Sequence, residues 1–221
     1  EIAFEKAGII KEKIVVTSGE EKDAVKKIII NKAKEMNAEF IDATTIESSL
    51  ESDLKGKYQK KNIRVVLALV DELRRQNLTI TDENVKSGLL NVSKNTNFIG
   101  RWFEFSQNPL TICDTGHNKA GLEEVFNQLK DYSQHKHIVL GFVNDKKIDE
   151  VLEILPKNEN YYFVKPNVNR GRNPETYEDL LKKSEINYKI FQNVQDGYLT
   201  AKQNCKKDEM IFIGGSNFVV G

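Results

Sequence analysis

Apolar positions along this chain switch between two periods. A β-branched run from Ile14 to Ser18 ends at Gly19, which predicts a short strand and its turn. Val25, Ile28, Ile29 and Met36 follow at helical spacing, and 38–42 predicts a second strand. From Tyr58 to Gln76, Ile63, Val66, Leu67, Val70 and Leu73 share one helical face. Thr81 is placed to cap a further helix carrying Val85, Leu89 and Val92. The stretch 93–97 is polar and aperiodic, which predicts a linker with a new domain opening near Gly100. Beyond it the alternation is regular. Strands are expected at 110–114, 138–143, 161–164, 188–191 and 210–213, and helices near 122–129, 148–155, 174–183 and 195–205. Short apolar strands separated by helices predict an α/β fold with a mostly parallel sheet covered on both faces.

Composition narrows the setting. The 221 residues carry 33 acidic and 33 basic side chains, so no global field favours a nucleic-acid backbone. No apolar run approaches the roughly 20 residues that span a bilayer. Cys113 and Cys205 stand alone without C-x-x-C spacing, a usage that suits a reducing cytoplasm. The amino terminus shows neither an initiator Met nor a signal-like apolar region, and it opens inside what reads as a structured motif. A piece of a longer cytoplasmic protein is therefore expected, one that does not act on nucleic acid or membranes; a monomer is expected as well, without a signal for it in the composition.

The chemistry concentrates between Gly100 and Gly121, G-R-W-F-E-F-S-Q-N-P-L-T-I-C-D-T-G-H-N-K-A-G. A strand ends in Asp114, a Thr-Gly turn follows, and Asn118 caps the next helix after His117. Doubly wound sheets place ligands at the carboxyl ends of their strands, so Asp114 and His117 would project there together, beside a helix amino terminus. Arg101 offers a planar guanidinium suited to a phosphate or a base. The plainer reading makes Asp114 and Asn118 local caps and His117 a loop residue; the combination at one strand end favours a site.

These residues carry a resemblance. The pattern G-R-W, N-P, D-x-x-H-N-x-x-G resembles the start of the carboxyl-terminal domain of the folylpolyglutamate synthase/dihydrofolate synthase family, within the Mur ligase superfamily. Three other stretches agree in order: the segment 1–11, E-I-A-F-E-K-A-G-I-I-K; the helix start 56–62, G-K-Y-Q-K-K-N; and the closing strand 210–220, M-I-F-I-G-G-S-N-F-V-V. The resemblance implies that residues 1–98 are the carboxyl-terminal part of a central P-loop-type ATPase domain and 99–221 a Rossmann-like carboxyl-terminal domain. It implies an ATP- and Mg²⁺-dependent ligase that activates a folate or dihydropteroate carboxylate as an acyl phosphate and couples it to L-glutamate. Asn62, Arg101 and Asp114 match positions that contact ATP, and His117 a catalytic histidine near the nucleotide. Ser216 matches the closing turn beside substrate. Lys6 matches a lysine that is carbamylated in the family and so helps to position Mg²⁺. A surface lysine pairing Glu5 or Glu1 is the plain alternative.

Departures and side signals remain. No G-x-x-x-x-G-K-S/T phosphate loop occurs, so this chain as it stands is expected to lack complete catalytic machinery. Ile99 and Thr115-Gly116 differ from the residues more common in the family, although a Gly stays in the turn. Arg170 lies in a loop where an arginine fork would capture an acidic glutamate or folate tail, or would simply be solvated. His135 and His137 could suggest a metal pair, but without a nearby carboxylate or thiol partner they read as a solvated loop just before a strand. Lys55, Lys57, Lys60, Lys61 and Arg64 read as a wet face that could also attract anions. Cys113 reads as a buried small hydrophobe, and Trp102 as core filler or a floor under the nucleotide. Two rival functions stay open: a peptidoglycan-precursor ligase of the same superfamily, and a nucleotide-binding module without catalysis.

Overall fold

In the computed structural model, which describes residues 2–145 and 147–221, the chain divides into two units. The first comprises the chain up to Asp53 together with Tyr58–Thr96, and the second Leu54–Lys57 with Asn97–Gly221. No helix among the described residues is long and apolar enough to cross a membrane.

The first unit runs α1 (Ile2–Ala7), β1 (Val15–Ser18), α2 (Asp23–Glu35), β2 (Glu39–Asp42), α3 (Gln59–Arg75), α4 (Asp82–Leu90) and α5 (Val92–Thr96). β1 and β2 pair in parallel, Val15 opposite Glu39 and Ser18 opposite Asp42, a connection that needs a crossover, which α2 supplies. α3 and α4 bury Ile63, Val85 and Leu89 against one another's apolar faces. Thr81 caps α4 as expected, its hydroxyl accepting from the Asn84 backbone while Asn84 answers the Thr81 N–H. The division between the units falls between Thr96 and Asn97, and of the stretch 93–97 expected as a linker, 93–96 lie instead in α5. Its first amides, Val92 and Ser93, donate to the Asp53 carboxylate at 3.1 and 2.8 Å. A cap supplied from so far back in the chain leaves no local sequence signal.

Asp42 closes β2. Its carboxylate accepts from the Thr44 amide and hydroxyl at 3.0 and 2.6 Å and from Lys26 Nζ at 2.9 Å. The Thr44 hydroxyl does most to hold its pKa below the ordinary value, burial opposes it, and Lys26 adds to the lowering.

The second unit holds β3 (Phe103–Gln107), β4 (Leu110–Asp114), α6 (Lys119–Leu129), β5 (Lys136–Leu140), α7 (Ile148–Leu152), β6 (Asn160–Val164), α8 (Glu178–Lys183), β7 (Asn187–Phe191), α9 (Val194–Asn204), β8 (Met210–Gly214) and α10 (Asn217–Val220). The six strands lie in the order β3-β4-β8-β5-β6-β7, all parallel except β3, which forms an antiparallel hairpin with β4. The mostly parallel α/β expectation is met. β3 was not anticipated, because Phe103 to Gln107 is a half-exposed edge without a continuous apolar run.

Right-handed crossovers explain the layering. From β4 through β5 and β6 to β7 the chain advances in one direction, and α6, α7 and α8 cover one face. Ile112, Ile138, Leu140, Tyr161, Phe163 and Phe212 point into that layer with Leu122, Val125, Leu152 and Leu181. β8 then returns to lie between β4 and β5, which sends α9 to the other face. There Cys113, Val139, Tyr162, Val164, Ile211 and Ile213 meet Ala201 and Val219. Alternate residues of each strand thus serve opposite layers, so the strands read as continuously apolar. Gln128 ties Leu54–Lys57 to this unit: its amide donates to the Lys55 carbonyl at 2.9 Å and accepts from the Lys57 N–H at 2.7 Å.

Two expectations follow for stability. Phe212 is fully buried and meets Phe126 edge-on at 6.4 Å, so Phe212→Ala should cost about 3–5 kcal/mol in urea unfolding of the second unit. A loss under 1 kcal/mol would contradict this packing. Because the Asp42 pKa is lowered, its contribution is present at neutral pH and disappears as pH falls through the ordinary aspartate range and below. Asp42→Asn should therefore flatten the acid side of the first unit's stability profile; an unchanged slope relative to the parent protein would reject that assignment.

Candidate functional site

β4 and β8 end level, Asp114 opposite Gly214, and Gly214 is also opposite Leu140 of β5. This is where strand order reverses, the position at which open α/β sheets hold ligands. Two turns interlock there. In the first, Gly100 takes a φ of 111°, and an added Cβ would lie 2.7 Å from Thr115 Cγ2. Trp102 is also held at a positive φ of 51°, a strained conformation for a bulky side chain. In the second, the Thr115 amide and hydroxyl both donate to the Gly100 carbonyl, at 3.0 and 2.9 Å.

Asp114 joins the two turns. Its carboxylate is almost wholly buried, at 2% exposure, with Oδ2 accepting from the Trp102 N–H at 2.9 Å and Oδ1 from the Gly116 N–H at 2.8 Å. The sequence suggested that Asp114 projects beside His117 toward a ligand. The side chain instead turns inward, because two backbone donors of the tight turns need an acceptor.

Arg101 and His117 are the groups presented outward. The Arg101 guanidinium is half-buried; one nitrogen donates to the Gly100 carbonyl at 2.9 Å and to the Thr115 hydroxyl, and the group lies 5.9 Å from the Phe98 ring centre. His117 is exposed, with Nδ1 3.0 Å from the Thr115 carbonyl oxygen. A carbonyl only accepts, so Nδ1 carries the proton and Nε2 is left for a ligand. Asn118 caps α6 by accepting from the Gly121 N–H at 2.8 Å. Gly116 and Gly121 pack closely enough that a Cβ on Gly116 would sit 3.3 Å from the Gly121 backbone. In residues 100–102 and 114–118 the carboxylate is Asp114, already engaged by backbone donors. These turns therefore suit anionic phosphates, whereas a hard Mg²⁺ ion needs oxygen ligands from elsewhere.

Arg170 and Ser216 come together at the same sheet edge, through Phe218. Arg170 is exposed and lies over the Phe218 ring at 5.0 Å, and Ser216 Oγ accepts from the Phe218 N–H at 3.2 Å. Ser216 is 3% exposed and caps α10, so its hydroxyl shapes the closing turn. Gly215 takes a φ of 88° where a Cβ would lie 2.7 Å from the Gly141 carbonyl. An open groove of about 770 Å³ runs past Lys165, Asn167, Gln192, Asn193 and Phe218. Its amides and Lys165 had no motif by which sequence reasoning could find them.

Lys6 and Asn62 belong to the first unit. Lys6 is exposed on α1 and borders an apolar hollow with Ile9, Ile10 and Ile14; Glu1, its suggested partner, lies outside the described residues. Asn62 is exposed in the first turn of α3 and donates to Gln59 Oε1 at 2.8 Å.

Several side signals resolve. Trp102 is core, at 2% exposure, packed near Tyr132. Cys113 is a buried thiol whose pKa burial pushes up to about 12, with the Asp114 charge adding to the effect. The basic stretch is largely neutralised: Lys55 pairs with Glu104 at 2.7 Å and Lys61 with Glu21 at 3.1 Å. The His135–His137 expectation is overturned. His137 is 2% exposed on β5, with Glu209 2.9 Å from Nε2, and His135 lies 3.1 Å from Glu159. Strand pairing brought those carboxylates in from distant sequence.

Residues 100–217 match the family model for Mur ligase, glutamate ligase domain. A dihydrofolate synthase/folylpolyglutamate synthase of Buchnera aphidicola subsp. Schizaphis graminum is 25% identical over 233 residues, 99% of this chain and 54% of that protein. The folylpolyglutamate synthase of Mycobacterium tuberculosis, complexed with ADP, superposes with a TM-score of 0.84 at 18% identity over 99% of this chain and 56% of its own. The bifunctional folylpolyglutamate synthase/dihydrofolate synthase of Yersinia pestis, with AMPPNP and Mn ion, gives 0.78 at 21% identity over 99% and 54%. The chain spans about half the length of these relatives.

The Asp114 geometry predicts a structural penalty. Asp114→Ala strands two backbone donors, each costing about 1–3 kcal/mol when unsatisfied in the interior. Urea unfolding should register the loss, and a variant as stable as the parent would show that the clamp is dispensable.

Proposed function

The chain belongs to the Mur ligase family through its glutamate ligase domain, and on that premise we propose that it forms part of an ATP-dependent ligase joining L-glutamate to a folate. The reaction would be tetrahydrofolate polyglutamylation, conversion of dihydropteroate to dihydrofolate, or both. The observation that carries this reading is the pair of outward groups, Arg101 and His117, held on interlocked turns where the strand order reverses. The folate relatives across the full chain length favour that acceptor over a peptidoglycan precursor, and ligation over simple nucleotide binding.

ATP supplies the phosphoryl group that converts the acceptor carboxylate into an acyl phosphate. The glutamate amine then attacks the acyl carbon, a C–N bond forms, and the carbon–oxygen bond to phosphate breaks. Negative charge builds on phosphate oxygens throughout, so fixed cationic donors lower the barrier. The Arg101 fork faces those oxygens, preoriented by its bonds to Gly100 and Thr115. His117, with Nδ1 tied to Thr115, directs Nε2 at phosphate or substrate. Asp114 acts on both through the backbone. Asn62 contributes an exposed amide for the base or ribose, and Arg170 a guanidinium for the carboxylates of glutamate or a folate tail. Mg²⁺ would take oxygen ligands from a carbamate on Lys6, whose exposed amine is accessible to CO₂. Both cysteines are free thiols, which supports a reducing cytoplasm as the setting, and we expect a monomer.

In the full-length protein, ATP-dependent ligation of glutamate to dihydropteroate or tetrahydrofolate should be measurable, and UDP-muramyl acceptors should be inert; the opposite preference would overturn the acceptor assignment. Arg101→Ala should raise KM for ATP about tenfold or more, with Arg101→Lys only partly restoring it because the planar fork is lost. His117→Ala should lower kcat about tenfold or more while leaving Tm nearly unchanged. A fall in Tm with kcat preserved would make the histidine structural.

A further inference from the structure

The sheet's opposite edge carries a second constellation that the ligation chemistry does not use. His137 near the start of β5, Cys205 just after α9, and Glu209 just before β8 place one nitrogen, one sulfur and one oxygen donor within 4.8 Å of each other. We propose that these three side chains bind a divalent transition metal of the zinc class, with a fourth position left to water.

The donor set points to that chemistry. Imidazole, thiolate and carboxylate together are a zinc set, and the thiolate selects against Mg²⁺ and Ca²⁺. Charge balances: one thiolate and one carboxylate neutralise a divalent ion, which lowers the cost of holding it in a half-buried place. His137 binds as neutral imidazole and Glu209 as carboxylate, so the proton released on binding comes from the Cys205 thiol.

The surroundings are those of a supported ligand. Tyr162 Oη lies 2.8 Å from His137 Nδ1 and accepts from Asn204 Nδ2 at 3.1 Å. Without metal, Nε2–H donates to Glu209 Oε2 at 2.9 Å and the tyrosine hydroxyl donates to Nδ1. With metal on Nε2, the ring proton resides on Nδ1 and donates to the same tyrosine oxygen. A partner that serves both tautomers is what a metal-binding histidine requires behind it. Glu209 is anchored by the Lys206 N–H at 2.8 Å to Oε2, and the highly exposed Lys206 ammonium can swing away from Oε1. A cavity of about 310 Å³ opens onto His137, Tyr162, Asn204 and Glu209, giving an entry path and room for water. Donors around a tetrahedral zinc stand roughly 3.3–3.8 Å apart. Cys205, half-buried beyond the last turn of α9, closes the difference by side-chain rotation.

Cobalt(II) titrated into the chelator-treated full-length protein provides the test. One equivalent should bring up a near-ultraviolet thiolate-to-cobalt charge-transfer band with visible bands of four-coordinate cobalt, and zinc should abolish both. Cys205→Ser should remove the charge-transfer band, whereas Cys113→Ala should keep it. Tyr162→Phe should weaken binding about 10–100-fold, with circular dichroism confirming that the variant is folded. Absence of the band in the parent protein, or its survival in Cys205→Ser, overturns the proposal. Cys205 is half-buried at the margin of the core, and sulfur-to-oxygen exchange keeps its size, so its variant decides the matter even if Tyr162→Phe fails to fold.

Discussion

The second unit's working edge depends on one buried carboxylate. Asp114 accepts from Trp102 on one turn and Gly116 on the other, and so holds together two segments that leave the sheet in different directions. A water-exposed aspartate could not do this, since solvent would compete for both N–H groups. In the interior the unmet donors would each cost more than the bond returns, so the arrangement is all or none. The strained backbone at Trp102 persists because this clamp and the indole's burial over-determine it.

From that clamp the presentation of Arg101 and His117 follows. Neither side chain is held by packing on all sides. Arg101 is tethered through one nitrogen to the Gly100 carbonyl and the Thr115 hydroxyl, and His117 through Nδ1 to the Thr115 carbonyl, on turns that Asp114 has already immobilised. In the proposed ligase such groups would meet a phosphate with little reorganisation, which is where electrostatic stabilisation gains its strength. The glycines at 100 and 116 permit the approach: one supplies a positive φ, the other a surface without Cβ against Gly121.

The reversal of β8 organises the unit on a larger scale. By inserting between β4 and β5 it places the closing Gly214-Gly215-Ser216 turn beside the Asp114 turn, and it carries Arg170's partner Phe218 to the same edge. The same insertion brings Glu209, which directly precedes β8, to His137 on β5 at the opposite edge. One topological choice thus places the Arg101 and His117 turns at one end of the strands and a donor cluster at the other.

Much of this was legible in the residues alone. Continuous apolar strands alternating with helices are sufficient to specify a parallel sheet, because only burial on both faces tolerates them. The D-T-G-H-N turn and the Thr81 cap are local, and local chemistry is written locally. Tertiary structure alone decided which way Asp114 faces, that Ser216 is a buried cap, that residues 92–96 are helical under an Asp53 cap, and that His137 has a carboxylate and a thiol beside it. In each case the deciding partner comes from a distant part of the chain, or the deciding quantity is burial. A polar side chain's role follows from which donors and acceptors reach it once water is excluded, and sequence spacing carries no record of that.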